Sequence, residues 1–247
     1  MHKDLFPFFE NYPEMVYLDS AATALKPKSV IDAELEYLKL SSTNLSRGLY
    51  PLAEETTKHV EKIRDLIARF ISARAEEIIF TSGTTGSINM LALMLEDSLT
   101  ADDAIVVTDF EHHANYLPWK ELAKRKKSHF SVLESTPTGI LTQEEIRRKV
   151  DKNTAIVAIS ALSNVTGILQ DVPEMIQTIR EINPHIIVVV DAAQYIAHAP
   201  VDVKKWDADF VVFSGHKLYG PTGVGILYGK YQILKVLQPR VYGGGMV

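Results

Sequence analysis

The sequence contains no cysteine in its 247 residues. Disulfides, thiolate metal sites and thiol nucleophiles are therefore excluded within this chain. Neither sign of charge dominates: 26 Lys and Arg stand against 31 Asp and Glu, a net charge of −5. The densest basic cluster, Lys124-Arg125-Lys126-Lys127, falls at the end of an expected helix, where cations complement the helix dipole. Nucleic acid is accordingly not an expected partner. No apolar run approaches the roughly 20 residues of a membrane span, and Met1-His2-Lys3-Asp4-Leu5-Phe6-Pro7 lacks the charged-then-apolar order of a secretion signal. No membrane association is expected, and the cytoplasm is the expected compartment. Internal repeats, low-complexity segments and interdomain linkers are also lacking.

What is present is an ordinary globular composition, 46% hydrophobic and 23% charged, long enough for one large α/β domain. Apolar runs of strand length alternate with segments of helical periodicity. Strands are expected at Met15–Leu18, Glu77–Phe80, Ala104–Thr108, His129–Leu133, Ala155–Ser160, Ile186–Val190, Phe210–Phe213 and Gly225–Tyr228. Helices are expected from Pro27 to about Leu40, from Pro51, after Gly86, through Trp119 to Lys124, over Gln143–Val150, from Pro173 to about Glu181, and over Tyr231–Leu237. In the helix from Pro51, the residues Val60, Ile63, Leu66, Ile67, Phe70 and Ile71 read as a stripe facing the core. Unbroken runs such as Ile186-Ile187-Val188-Val189-Val190 mark strands buried on both faces. The expected fold is a three-layer α/β/α domain with a mainly parallel central sheet, covering residues 1–247. The closing stretch Tyr242-Gly243-Gly244-Gly245-Met246-Val247 reads as a connection, so the sequence is expected to be part of a longer chain.

Polar groups gather just after the strands, at the edge where α/β proteins place ligands. Phe210-Val211-Val212-Phe213 runs into Ser214-Gly215-His216-Lys217, which delivers a lysine to that edge. Most lysines are simply solvated, but a partly desolvated one can lose its proton and act as a nucleophile. Ser82-Gly83-Thr84-Thr85-Gly86 opens a helix after a strand, suiting either a plain N-cap or a phosphate cradle of free N–H groups and hydroxyls. It matches neither the Walker P-loop nor the dinucleotide fingerprint. Asp191 ends the most apolar strand. It suits either a helix cap or a carboxylate paired with a ring N–H. Gln194, one turn on, is a possible donor to a ring oxygen. His112 and His113 read as capping or surface residues, or as an imidazole that stacks on a flat ring. Asn164 is either a turn amide or a ligand contact. One ligand uses all of these at once: a phosphate for Thr84, Thr85, Ser214 and His216, a ring N–H for Asp191, and an aldehyde carbon for Lys217.

The motifs Tyr17-Leu18-Asp19-Ser20-Ala21-Ala22, Phe80-Thr81-Ser82-Gly83-Thr84-Thr85, Glu111-His112-His113-Ala114-Asn115, Ser163-Asn164-Val165-Thr166-Gly167, Asp191-Ala192-Ala193-Gln194 and Ser214 to Gly223 occur in order from residue 15 to the end. In them the sequence resembles the class V aminotransferase family of fold-type I pyridoxal-phosphate enzymes. Within it the sequence is most similar to cysteine desulfurases of the type that supplies sulfur for iron–sulfur clusters. The resemblance implies pyridoxal 5′-phosphate as cofactor, L-cysteine or a related amino acid as substrate, a homodimer, and a sulfur-acceptor protein as a further partner. It implies that Lys217 forms the Schiff base and moves the substrate α-proton, with His112 stacked on the pyridine ring. Asp191 would hold the ring nitrogen protonated and Gln194 the ring hydroxyl oxygen. Thr84, Thr85, Ser214 and His216 would hold the phosphate. Asn164 would lie near the substrate carboxylate, and Arg47 near the active site. In the desulfurases a cysteine and a carboxylate-clamping arginine come from a carboxy-terminal lobe, which this sequence is expected to lack. Other class V activities (selenocysteine lyase, aminotransferase, kynureninase-like hydrolase) and a non-catalytic interaction module are the alternative readings.

Overall fold

Residues 2–45 and 48–243 are described by a computed structural model. The apolar runs form seven strands: β1 (Ile78–Thr81), β2 (Ala104–Thr108), β3 (His129–Leu133), β4 (Thr154–Ser160), β5 (Ile187–Asp191), β6 (Phe210–Ser214) and β7 (Gly225–Gly229). The α-helices are α1 (Phe8–Asn11), α2 (Lys28–Glu36), α3 (Pro51–Phe70), α4 (Thr84–Met94), α5 (His113–Lys126), α6 (Gln143–Lys149), α7 (Val172–Ile182), α8 (Val203–Trp206) and α9 (Tyr231–Leu234). Local chemistry sets several boundaries. Pro51 occupies the first turn of α3, where its missing N–H costs nothing. Thr142, Asp171 and Asp202 each accept a backbone N–H as N-caps of α6, α7 and α8. The basic cluster closes α5, with Lys127 in the left-handed conformation as its C-cap.

The sheet order is β1-β7-β6-β5-β4-β2-β3. Pairings among β3, β2, β4, β5 and β6 are parallel, whereas β7 is antiparallel to both of its neighbours. The link from Ser214 to Gly225 is too short for the helical crossover that a parallel return needs. Because β7 alone is reversed, the carboxyl ends of β1, β6, β5, β4 and β2 lie along one edge. That edge carries Thr81, Ser214, Asp191, Ser160 and Thr108, with Ser160 paired to Asp191 and Ser214 to Gly225 in register.

Alternate residues of each strand feed two cores, one per face. Val106, Val157, Ile159, Val188, Val190, Val211 and Phe213 pack with Ile71, Ile146, Ile176 and Ile179. Ile105, Val107, Ile156, Ala158, Val189, Phe210 and Val212 pack with Ile88, Leu91, Trp119 and Leu122. Burying each such side chain contributes about 1.5–3 kcal/mol, which holds the strand ends in fixed positions.

Four expectations are corrected. Residues 15–18 form no strand: Val16 is 65% and Leu18 89% exposed, and the segment pairs with no strand among the described residues. Tyr17 instead turns its hydroxyl back onto the Thr23 carbonyl at 2.6 Å. The stripe on α3 is only partly a core face. Ile71 is fully buried and Ile67 packs against the core, but Ile63, Leu66 and Phe70 are exposed. The first expected helix also changes character, passing from α2 into a π-helical turn over Tyr37–Ser41. The last one ends at Leu234, three residues early.

Candidate cofactor site

A cavity of about 470 Å³ opens at the shared strand edge, within the range that holds a small-molecule ligand. Its walls include Thr84, Thr85, His112, Asn164, Asp191, Gln194, Ser214, His216 and Lys217. Nine of the ten residues given roles from the sequence therefore meet in one place, whereas His113 does not line it. The tenth, Arg47, lies outside the described residues, as do Gly244–Val247 of the closing stretch. Ser160, Leu162 and a segment containing Asp19, Ala21 and Ala22 also line it.

At one end, α4 begins directly after β1. Gly83 caps it at φ +139°, a backbone conformation suited to glycine. The Thr84 N–H donates to Ser214 Oγ at 2.8 Å, and the Thr84 and Ser214 hydroxyls are also 2.8 Å apart. Both residues are buried, while Thr85 is exposed at the first turn. This end offers hydroxyls and a helix N-terminus, the donor set an anionic group requires.

In the middle lies Asp191, 6% exposed, accepting the Ala193 N–H at Oδ1 at 2.8 Å. Burial pushes its carboxyl up to about 6, opposed by that hydrogen bond and by the Lys217 charge. Lys217 is half-buried and makes no hydrogen bond or ion pair with the described residues. Burial lowers its pKa, with Asp191 acting in the opposite direction. A free amine is thus favoured relative to a surface lysine. His112 caps α5, its Nδ1 accepting the Ala114 N–H at 3.1 Å. Its ring is held toward the neutral form by burial, then by Lys217 and His113. The capping role and the cavity-lining role of this residue therefore coexist. Gln194 directs its amide Nε2 to the Ala21 carbonyl at 2.7 Å, so that donor is engaged within the chain.

Two groups carry contacts to which sequence reasoning assigned no role. The first is the Ala21–Lys26 segment. The His216 carbonyl accepts from Ala24 N–H at 3.0 Å and Lys26 Nζ at 3.1 Å, and the His216 ring Nδ1 is 3.2 Å from Thr23 Oγ1. Burial lowers the His216 pKa, helped by Lys217 and Lys26. The second is Glu111, which sits between the ends of β2 and β4 and accepts four hydrogen bonds. Its place three residues after the end of β2, in the motif that runs on to Asn115, was the available signal.

The donor set fits pyridoxal phosphate. Hydroxyls and a helix N-terminus lie at one end, a desolvated amine is present, and a buried carboxyl gains most from a ring N–H partner. Among the described residues no cluster of three or more His, Asp or Glu is arranged to hold a metal ion. No helix among them is long and apolar enough to cross a membrane.

Residues 16–247 match the family model described as aminotransferase class-V. The chain is 41% identical over 246 residues to a probable cysteine desulfurase of Pasteurella multocida (strain Pm70), covering 99% of this chain and 58% of that protein. It is 42% identical over 239 residues to a cysteine desulfurase of Wigglesworthia glossinidia brevipalpis, again covering 58% of the relative. Among solved structures, the apo cysteine desulfurase of Thermococcus onnurineus NA1 superposes with a TM-score of 0.92 at 37% identity, covering 99% of this chain and 61% of that one. The cysteine desulfurase CsdA of Escherichia coli does so with a TM-score of 0.89 at 37% identity. The chain spans about three fifths of the length of the relatives it matches. By its motifs, its sheet and this likeness over nearly its whole length, the chain belongs to the class V aminotransferase family.

Proposed function

We propose that this chain binds pyridoxal 5′-phosphate at the strand-edge cavity and supplies the cofactor-binding part of a cysteine desulfurase. One observation carries the reading: a desolvated lysine, a buried carboxyl and a helix N-terminus bearing hydroxyls line one cavity. When bound, the cofactor supplies an aldehyde for an amine and a ring that withdraws electrons. Thr84, Thr85, Ser214 and His216 would hold its phosphate, Asp191 its ring nitrogen, His112 its ring face and Gln194 its ring oxygen. Lys217 would act as the nucleophile and then as the group that moves the α-proton of the amino acid, for which a lowered pKa suits it. Asn164 would lie near the substrate carboxylate, and Arg47 near the active site.

The substrate we propose is L-cysteine. Its carbon–sulfur bond breaks and the sulfur passes to a thiol, giving L-alanine and a persulfide. This sequence holds no thiol, so the acceptor comes from outside these 247 residues. The exposed face of α3, with Leu66 at 61% and Phe70 at 54% exposure, favours self-association into the dimer that the resemblance implies. The test of the site is reduction with borohydride in the presence of pyridoxal phosphate, followed by location of the pyridoxyl label by peptide mass.

A further inference from the structure

Glu111 has no part in the function above, yet it is the most heavily bonded carboxyl near the cavity. Its Oε1 accepts from Thr108 Oγ1 at 2.6 Å and from the Ser160 N–H at 2.6 Å. Its Oε2 accepts from Asn115 Nδ2 at 2.6 Å and from Ser160 Oγ at 2.5 Å. The Asn115 amide has only one useful orientation, because its Oδ1 accepts the Trp119 indole N–H at 2.9 Å. Asn115 and Trp119 are fully buried. One side chain thus joins the end of β2, the end of β4 and the first turn of α5.

These anchors hold the two residues proposed to meet the cofactor ring. His112 follows Glu111 directly in the chain and caps α5. Ser160 is the register partner of Asp191 across the β4–β5 pair, and the Ala161 N–H donates to the Asp191 carbonyl at 2.9 Å. We propose that Glu111 is a positioning residue that fixes His112 relative to Asp191 by clamping the β2–α5 turn to the end of β4. The proposal rests on the pyridoxal-phosphate reading of the cavity. It differs from a plain stabilising role, because a carboxyl that only stabilised the fold would leave the His112 ring and the cavity's affinity unaltered once the protein was folded.

The donor pattern supplies a selective variant. The hydroxyls of Thr108 and Ser160 can rotate to accept, but the Ser160 N–H and the Asn115 amide cannot. Glu111→Gln therefore sets an NH2 group against one fixed N–H in either orientation. Combining Glu111→Gln with Asn115→Asp reverses the mismatched contact. The glutamine NH2 then donates to the new carboxylate, whose other oxygen still accepts the Trp119 indole.

The test uses the 247-residue chain without cofactor and then with it. The imidazole carbon-bound proton signal of His112 (assigned by its loss in His112→Gln) and the indole N–H signal of Trp119 are followed by NMR. Pyridoxal-phosphate affinity is measured on the same proteins. Glu111→Gln is expected to move both signals and to weaken cofactor binding about tenfold, because the displaced His112 ring must be brought back into place on binding. The double variant is expected to restore both. A folded Glu111→Gln with a lower Tm but an unchanged His112 signal and affinity would overturn the proposal. Should Glu111→Gln not fold, Thr108→Val removes one donor at constant shape, and an unmoved His112 signal there overturns it equally. If the unaltered chain binds no pyridoxal phosphate, the cofactor reading fails, and the cofactor-free His112 signal still decides the role of Glu111.

Discussion

The Thr84 N–H and the Ser214 Oγ, far apart in sequence, meet at 2.8 Å and join the start of α4 to the end of β6. Ser214→Ala leaves the buried Thr84 N–H and hydroxyl without this partner. The expected cost is about 1–3 kcal/mol of stability by urea denaturation, together with weaker binding of pyridoxal phosphate by spectral titration. Unchanged affinity in the folded variant would remove Ser214 from the phosphate end.

A second prediction concerns Gly225, beside the same junction. A Cβ at this position would lie 2.4 Å from the Gly83 Cα, a backbone atom that cannot rotate away. Gly225→Ala is expected to push β7 off the start of α4 and to cost about 1–3 kcal/mol or more. Thermal denaturation, with free phosphate or pyridoxal phosphate as a stabilising ligand, measures both the strain and the damage to the cradle.

The Asp191 carboxyl gives a pH dependence with a definite sign. Its folded pKa, about 6, lies above the ordinary value of 3.8. The folded chain therefore retains a proton that the unfolded chain releases. This contribution is full below about pH 4 and is lost as the pH rises toward 6. Relative to the unaltered protein, cofactor-free Asp191→Asn should gain stability from pH 4 to 7, by up to about 3 kcal/mol for a shift of this size. Urea denaturation of the two proteins across that range checks it, and a constant difference would contradict a raised Asp191 pKa.

The exposed half of the α3 stripe predicts an assembly effect without a folding effect. Leu66→Glu with Phe70→Glu replaces apolar surface that is 61% and 54% exposed. Light scattering should show less self-association, while the far-UV circular dichroism and the Tm stay nearly constant. A large loss of Tm would place these side chains in the fold's own stability.

Much of this architecture was legible because a parallel sheet covered on both faces needs uninterrupted apolar strands. The runs at 104–108, 186–190 and 210–213 could hardly serve otherwise. The site was legible because chemistry-bearing residues follow directly after those runs. Residues 15–18 show the limit: their apolar run looks like a strand, but strand formation needs a neighbour to complete the ladder, and none of the described residues adjoins them as one. The α3 stripe shows another, since periodicity identifies an apolar face without saying what covers it. Glu111 stood in a motif, but its link to Ser160 was illegible, since that contact is made only when β2 and β4 become neighbours.

The central claim, that Lys217 is the reactive amine of a pyridoxal-phosphate site, is tested most directly by borohydride trapping. The chain is incubated with pyridoxal phosphate, reduced, digested and mapped by mass, alongside Lys217→Ala. The account predicts one pyridoxyl label, on Lys217, and none in the variant. A label on other lysines that persists in Lys217→Ala, or no label in the unaltered chain, would contradict it.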